Sequence, residues 1–145
     1  MNSLLRAYLI AARGHRKQRD KAGKRYIHHP VTVAKRVKGK EAKIVALLHD
    51  TLEDTPITAE YLSKYFTPEV VAAVVTLTHT SGVGYDDYIF NICTNALARQ
   101  VKIQDLVHNM ELSRLPVITL DDLHRLIKYT RALERLIAYE FRAKD

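Results

Sequence analysis

The sequence holds a single cysteine, Cys93, no tryptophan, five glycines and four prolines in 145 residues. One cysteine excludes an internal disulfide and any multi-cysteine zinc site, and it suits a reducing, cytoplasmic setting. With glycine and proline this sparse, no stretch reads as an interdomain linker, and there is no internal repeat or low-complexity segment. No apolar run approaches the roughly 18–20 residues of a membrane span, and Met1–Arg6 leads into no signal-peptide pattern. The length matches one domain by the soft prior of about 150 residues each. A chain of this size buries roughly 68–70% of its unfolded surface, enough for a core without disulfides or a structural metal. We expect residues 1–145 to form one domain, with no length left for a second.

What is present is charge, unevenly placed. Lys and Arg number 23 against 16 Asp and Glu, for a net charge of +7. Residues 1–43 carry 13 basic and 2 acidic residues (+11), whereas residues 44–145 carry 10 basic and 14 acidic (−4). A basic front on a mildly acidic body points to a polyanionic partner met by the N-terminal third. Nucleic acid, a membrane surface and a phosphorylated small molecule all satisfy that description.

The hydrophobic period is helical nearly throughout. Leu4, Leu5, Tyr8, Leu9 and Ala12 share one face of a first helix, which ends in the basic stretch 14–21. His29-Pro30 opens a second helix that ends at Gly39, with proline in the first turn, where its missing N–H costs little. An apolar run over Glu41–Asp50 closes on His49-Asp50 and is broken at Asp54-Thr55-Pro56. Thr58 caps a short helix through Phe66, and Thr67-Pro68-Glu69 starts the next, Val70–His79. Ser81–Gly84 is a flexible loop. Asp86–Leu97 and Ala98–Arg114 follow, and Thr119 or Asp121 starts a C-terminal helix. The apolar stripe of that last helix is what any helix docked on a core carries, and is no sign of self-association. The predicted fold class is all-α, with seven or eight helices.

Chemistry concentrates at the end of the apolar run. On a helix His49 and Glu53 are i,i+4, Asp50 and Glu53 are i,i+3, and Asp50 and Asp54 are i,i+4, so four polar groups crowd one end. Three carboxylates so close repel unless a cation sits among them, and a divalent metal meets that need. A hydrogen-bonded His-Asp pair at a solvated helix end is the simpler structural reading of the doublet alone. Two further features add to it: His29 beside Pro30, and Asp105 interrupting an apolar pattern with Asn109 one turn on.

Three segments then resemble a known family. Gly23-Lys24-Arg25-Tyr26-Ile27-His28-His29-Pro30 is similar to the Gly-x-x-Tyr-Ile-x-His-Pro of the HD-domain metal-dependent phosphohydrolases. Ala46-Leu47-Leu48-His49-Asp50-Thr51-Leu52-Glu53-Asp54-Thr55 resembles their Ala-Leu-Leu-His-Asp-x-x-Glu-Asp-Thr, and Lys102–Met110 their Lys-Leu-Ala-Asp-x-x-His-Asn-Met. The nearer likeness is to the hydrolase half of Rel/Spo alarmone enzymes and their small stand-alone relatives. The resemblance implies His29, His49, Asp50 and Asp105 as ligands of a divalent metal, with Mn²⁺ best suited and Fe²⁺, Mg²⁺ or Zn²⁺ as alternatives. It implies Glu53 and Asp54 as the catalytic pair that handles water and leaving-group protons. It also implies a substrate contact from Asn109, a pairing of Lys102 with substrate phosphate or with the ligand shell, and substrate contacts from Arg19 and Lys21 in the basic stretch.

The implied activity is removal of the 3′-diphosphate of guanosine 3′,5′-bis(diphosphate) as pyrophosphate, so the expected partner is a small phosphorylated nucleotide. One position departs from the family: Asp20 stands where these hydrolases usually carry an arginine packed on the guanine. It keeps a second reading open, an HD-type phosphatase or nucleotidase acting on another nucleotide or phosphorylated metabolite. A non-catalytic basic domain that binds nucleic acid is disfavoured, because no nucleic-acid module is recognisable and a full set of metal ligands is present.

Overall fold

The computed structural model describes residues 1–144. Among them, nine α-helices and one 3-10 turn account for the regular structure, and the all-α expectation holds. The helices are α1 (Ser3–Gly14), α2 (His28–Arg36), α3 (Lys40–Leu48), α4 (Thr51–Asp54), α5 (Ala59–Ser63), α6 (Pro68–Leu77), α7 (Tyr85–Cys93), α8 (Ala96–Asn109) and α9 (Leu120–Ala143), with the 3-10 turn at Leu112–Arg114. None of these helices is long and apolar enough to cross a membrane.

The sequence marks most of the helix starts. Thr58, Thr67 and Asn95 each accept a hydrogen bond from a backbone N–H in the first turn of α5, α6 and α8. Thr119 and Asp122 form a reciprocal capping box at α9. Several boundaries differ from expectation: α5, α7 and α8 end at Ser63, Cys93 and Asn109, short of Phe66, Leu97 and Arg114. α2 stops at Arg36 because Val37 turns extended and buries its side chain; Gly39, at φ 94°, then serves the turn into α3. The stretch 41–54 is two helices, since the chain breaks at His49-Asp50 before α4.

α3 is the central element. Ala42 and Ile44–Leu48 are all buried, as expected of a helix surrounded by others, and α1, α2, α6 and α8 pack around it. α9 attaches to α7 and α8 through a thin contact: among its buried residues only Ala132 and Leu136 are apolar. Leu136 is fully buried. Leu136→Ala should therefore cost about 2–5 kcal/mol of stability in denaturant titration, and a loss near zero would mean that α9 is not anchored there.

Candidate metal centre

Three helices meet at one buried point. α2 presents His29 from its first turn, the end of α3 supplies His49 and Asp50, and the middle of α8 supplies Asp105. One ring nitrogen each of His29 and His49 and a carboxylate oxygen of Asp105 all lie within 4.8 Å of one another, and Asp105 Oδ1 is 2.8 Å from His29 Nε2 and 3.4 Å from His49 Nε2. Asp50 Oδ2 stands 3.1 Å from His49 Nε2 and 3.8 Å from His29 Nε2. His29, His49 and Asp105 are buried, and the Asp50 side chain nearly so. The four residues implied as ligands are thus brought together from positions up to 76 apart in the chain.

The hydrogen bonds around the centre say what it lacks. His49 Nδ1 is 2.6 Å from the carbonyl of Ala46, so it carries the proton and donates it. The neutral ring then directs a lone pair from Nε2 at carboxylate oxygens of Asp50 and Asp105, 3.1 and 3.4 Å away. No well-directed hydrogen bond reaches that nitrogen, although it is fully buried. A lone pair facing two carboxylates is repulsive unless a cation joins them. The same field acts on protons: burial opposes a charge on His49, yet Asp50 and Asp105 outweigh it and raise its pKa well above the usual value. Two imidazoles and two carboxylates form a borderline donor set suited to a divalent transition metal. The residues present fit such an ion.

The surrounding groups are arranged to hold these four. Asp105 Oδ1 lies 2.8 Å from His29 Nε2 and accepts from Asn109 Nδ2 at 3.0 Å, and its other oxygen accepts from Lys102 Nζ at 2.9 Å. Burial works against its charge, but Lys102 and the two histidines hold its pKa well below the carboxylate range. Tyr26 donates its phenol hydrogen bond to Asp50 Oδ2, and burial together with that carboxylate pushes its own pKa far up. His49 keeps Asp50 ionised down to about 2 despite burial.

The remaining candidates divide. Glu53 and Asp54 are exposed on α4 beside the centre; Glu53 Oε1 accepts the backbone N–H of His79 at 2.7 Å. Partial burial and then the charge of Asp50 raise the pKa of Asp54. Lys102 is occupied by Asp105 and lies over the Tyr88 ring, which places it behind the centre. A cleft opens on the His29 side, walled by Tyr26, His29 and Asn109, with Lys21, Arg114 and Arg125 as its cations. Arg19 is exposed, pairs backbone-to-backbone with Arg25, and does not line that cleft. Asp20 does line it: one oxygen accepts the Lys24 N–H at 2.9 Å and the other lies 3.9 Å from Arg114.

Sequence reasoning gave no role to Tyr26, whose signal was a phenol three residues before His29. His108 is buried against His29. His28 and His124 are exposed, and Cys93 is a buried core residue.

The chain is similar to known proteins in sequence and in fold. The family model described as HD domain matches residues 7–89, more than half of the chain. A probable guanosine-3′,5′-bis(diphosphate) 3′-pyrophosphohydrolase of Synechocystis sp. is 34% identical over 122 residues, covering 74% of this chain and 16% of that protein. The guanosine-3′,5′-bis(diphosphate) 3′-pyrophosphohydrolase of Aquifex aeolicus is 39% identical over 84 residues, 55% of this chain and 12% of that protein. The chain thus spans roughly an eighth to a sixth of the length of these relatives. A solved structure titled as a metazoan ortholog of SpoT that hydrolyses ppGpp superposes with a TM-score of 0.79 at 22% identity. That match covers 94% of this chain and 85% of the other, and supports the fold. The matched segment includes His29, His49 and Asp50, and on that match this chain belongs to the HD domain family.

Proposed function

We propose that the chain is a metal-dependent hydrolase that removes the 3′-diphosphate of guanosine 3′,5′-bis(diphosphate) as pyrophosphate. The observation that carries this reading is the buried, unpartnered Nε2 of His49 aimed among the carboxylates of Asp50 and Asp105. His29, His49, Asp50 and Asp105 would hold the ion, with Mn²⁺ preferred over Fe²⁺, Mg²⁺ and Zn²⁺. When bound, it supplies Lewis acidity toward water and a phosphoryl oxygen. The similarity to guanosine-3′,5′-bis(diphosphate) 3′-pyrophosphohydrolases supports the substrate class.

The chain's own residues do the rest. Glu53, held by the His79 N–H, takes a proton from the attacking water. Asp54, next to it on α4, passes a proton toward the departing nucleoside oxygen. Water adds at phosphorus, the ester bond to the 3′-oxygen breaks, and the products are pyrophosphate and the nucleoside 5′-diphosphate. Lys21 and Asn109 line the cleft that meets His29 and would contact the substrate; Lys102 serves by holding Asp105. Arg19 is exposed and outside the cleft lining, and would act at most on a long substrate arm. The reading also treats residues 1–145 as one HD domain acting in the cytoplasm.

Asp20 favours a second reading, hydrolysis of another phosphorylated nucleotide, since a carboxylate at the cleft rim is a poor platform for a base. The test is incubation with Mn²⁺ and either ppGpp or a panel of nucleotides, measuring released pyrophosphate and phosphate. Pyrophosphate from ppGpp, lost in Asp50→Ala, is the expected result. Turnover of a different nucleotide alone supports the second reading, and turnover of nothing removes both.

A further inference from the structure

His108 stands outside the four groups of the candidate metal centre but touches one of them. Its Nδ1 lies 2.7 Å from Nδ1 of His29, and the two rings are within 14° of parallel. Both side chains are buried. A neutral imidazole has one N–H and one lone pair, so two ring nitrogens at this distance require one to donate and the other to accept.

The far side of His29 decides which. Its Nε2 faces the oxygens of Asp105 and Asp50 at 2.8 and 3.8 Å, where a metal-binding nitrogen must offer its lone pair. The proton then sits on Nδ1, and His108 accepts it. His108 keeps its own hydrogen on Nε2, which faces Glu111 Oε2 at 4.0 Å. Metal-binding histidines ordinarily donate to a carboxylate or a backbone carbonyl. His49 does so, to Ala46, whereas the only partner of His29 Nδ1 among the described residues is His108.

We propose that His108 is a positioning residue that fixes the tautomer and orientation of His29 by accepting its Nδ1–H, so that Nε2 is presented to the metal. Helix α8 makes this economical: Asp105 and His108 are three residues apart, so one turn supplies an anionic ligand and the group that orients a second ligand. Arg114 donates to the carbonyl of His108 at 3.1 Å, and Arg36 holds Glu111 at 2.8 Å, which fixes the accepting ring from behind.

The proposal rests on the metal-centre reading, and the test separates the two. Zn²⁺ affinity of the metal-stripped chain is measured against a competing chelator for wild type, His108→Phe and His108→Asn. Phenylalanine keeps a ring in the space but cannot accept, whereas the asparagine amide oxygen takes nearly the place of Nδ1. We expect His108→Phe to bind Zn²⁺ about 10–100-fold more weakly, and His108→Asn to recover most of that loss. In the Zn²⁺-loaded wild type, nitrogen NMR of the imidazoles should place the His29 hydrogen on Nδ1, a readout that needs no variant to fold. Wild-type affinity in His108→Phe or equal weakening in both variants overturns the proposal while leaving the metal centre standing; a hydrogen on His29 Nε2 overturns the proposal and removes His29 Nε2 from the ligand set. A wild type that takes up no Zn²⁺ removes the metal centre and the proposal with it.

Discussion

Asp105→Ala should strip the protein of its metal and lower turnover by on the order of 10³-fold or more, since loss of a single oxyanion donor already costs about 10²–10³ in other enzymes. The carboxylate is the hub of the centre. It faces His29 Nε2 and accepts from Asn109 and Lys102, and its removal deletes a candidate anionic ligand while leaving Lys102 buried without its counter-charge. Breaking a buried ion pair from one side destabilises by about 3–5 kcal/mol, so the variant should also melt lower. The more conservative Asp105→Asn separates the effects: Lys102 regains an oxygen, stability is largely restored, and metal occupancy stays low. Metal analysis of purified wild type and both variants is the measurement. Wild-type occupancy in Asp105→Ala would remove Asp105 from the ligand set.

Glu53→Gln should do the opposite, leaving metal occupancy and stability near wild type while kcat drops about 10²–10⁴-fold, the usual contribution of a general base. The glutamine oxygen can still accept the His79 N–H, so the side chain stays where it is and only its basicity is lost. KM should hardly change, because Glu53 lies on exposed α4 and outside the lining of the cleft that leads to His29. A kcat within about threefold of wild type, at full metal occupancy, would transfer the proton-handling role elsewhere, Asp54 being the nearest candidate. The contrast with Asp105→Ala is the informative part, since one variant loses the ion and the other keeps it.

Much of this was legible before any coordinates. Helix starts at Thr58, Thr67 and Thr119 follow from side chains that cap backbone N–H groups locally. The closeness of His49 and Asp50 follows from adjacency in the chain. The break between α3 and α4 did not, because the apolar pattern runs on to Leu52 and the helical backbone ends only where His49 and Asp50 turn toward groups from α2 and α8. Arg19 and Lys21 looked equivalent in a row of basic residues; the turn that Asp20 closes with Lys24 sends only one of them to the cleft. The role of His108 was also hidden, since its partner is 79 residues away.

The opening contrast of a basic front and an acidic body changes meaning accordingly. Within the cleft the cations are already matched: Lys21 and Arg125 to Asp122, Arg114 to Asp20. Most of the excess charge in residues 1–43 lies on exposed side chains elsewhere. By itself the sequence determined the helical class, the caps and the identity of the groups able to hold a metal, because these depend on local periodicity and side-chain chemistry. Only the tertiary structure decided which nitrogen of each histidine faces the centre, which lysine supports Asp105 and which basic residue reaches the cleft. Those choices depend on contacts between helices far apart in the chain, where burial makes each unpaired polar atom costly.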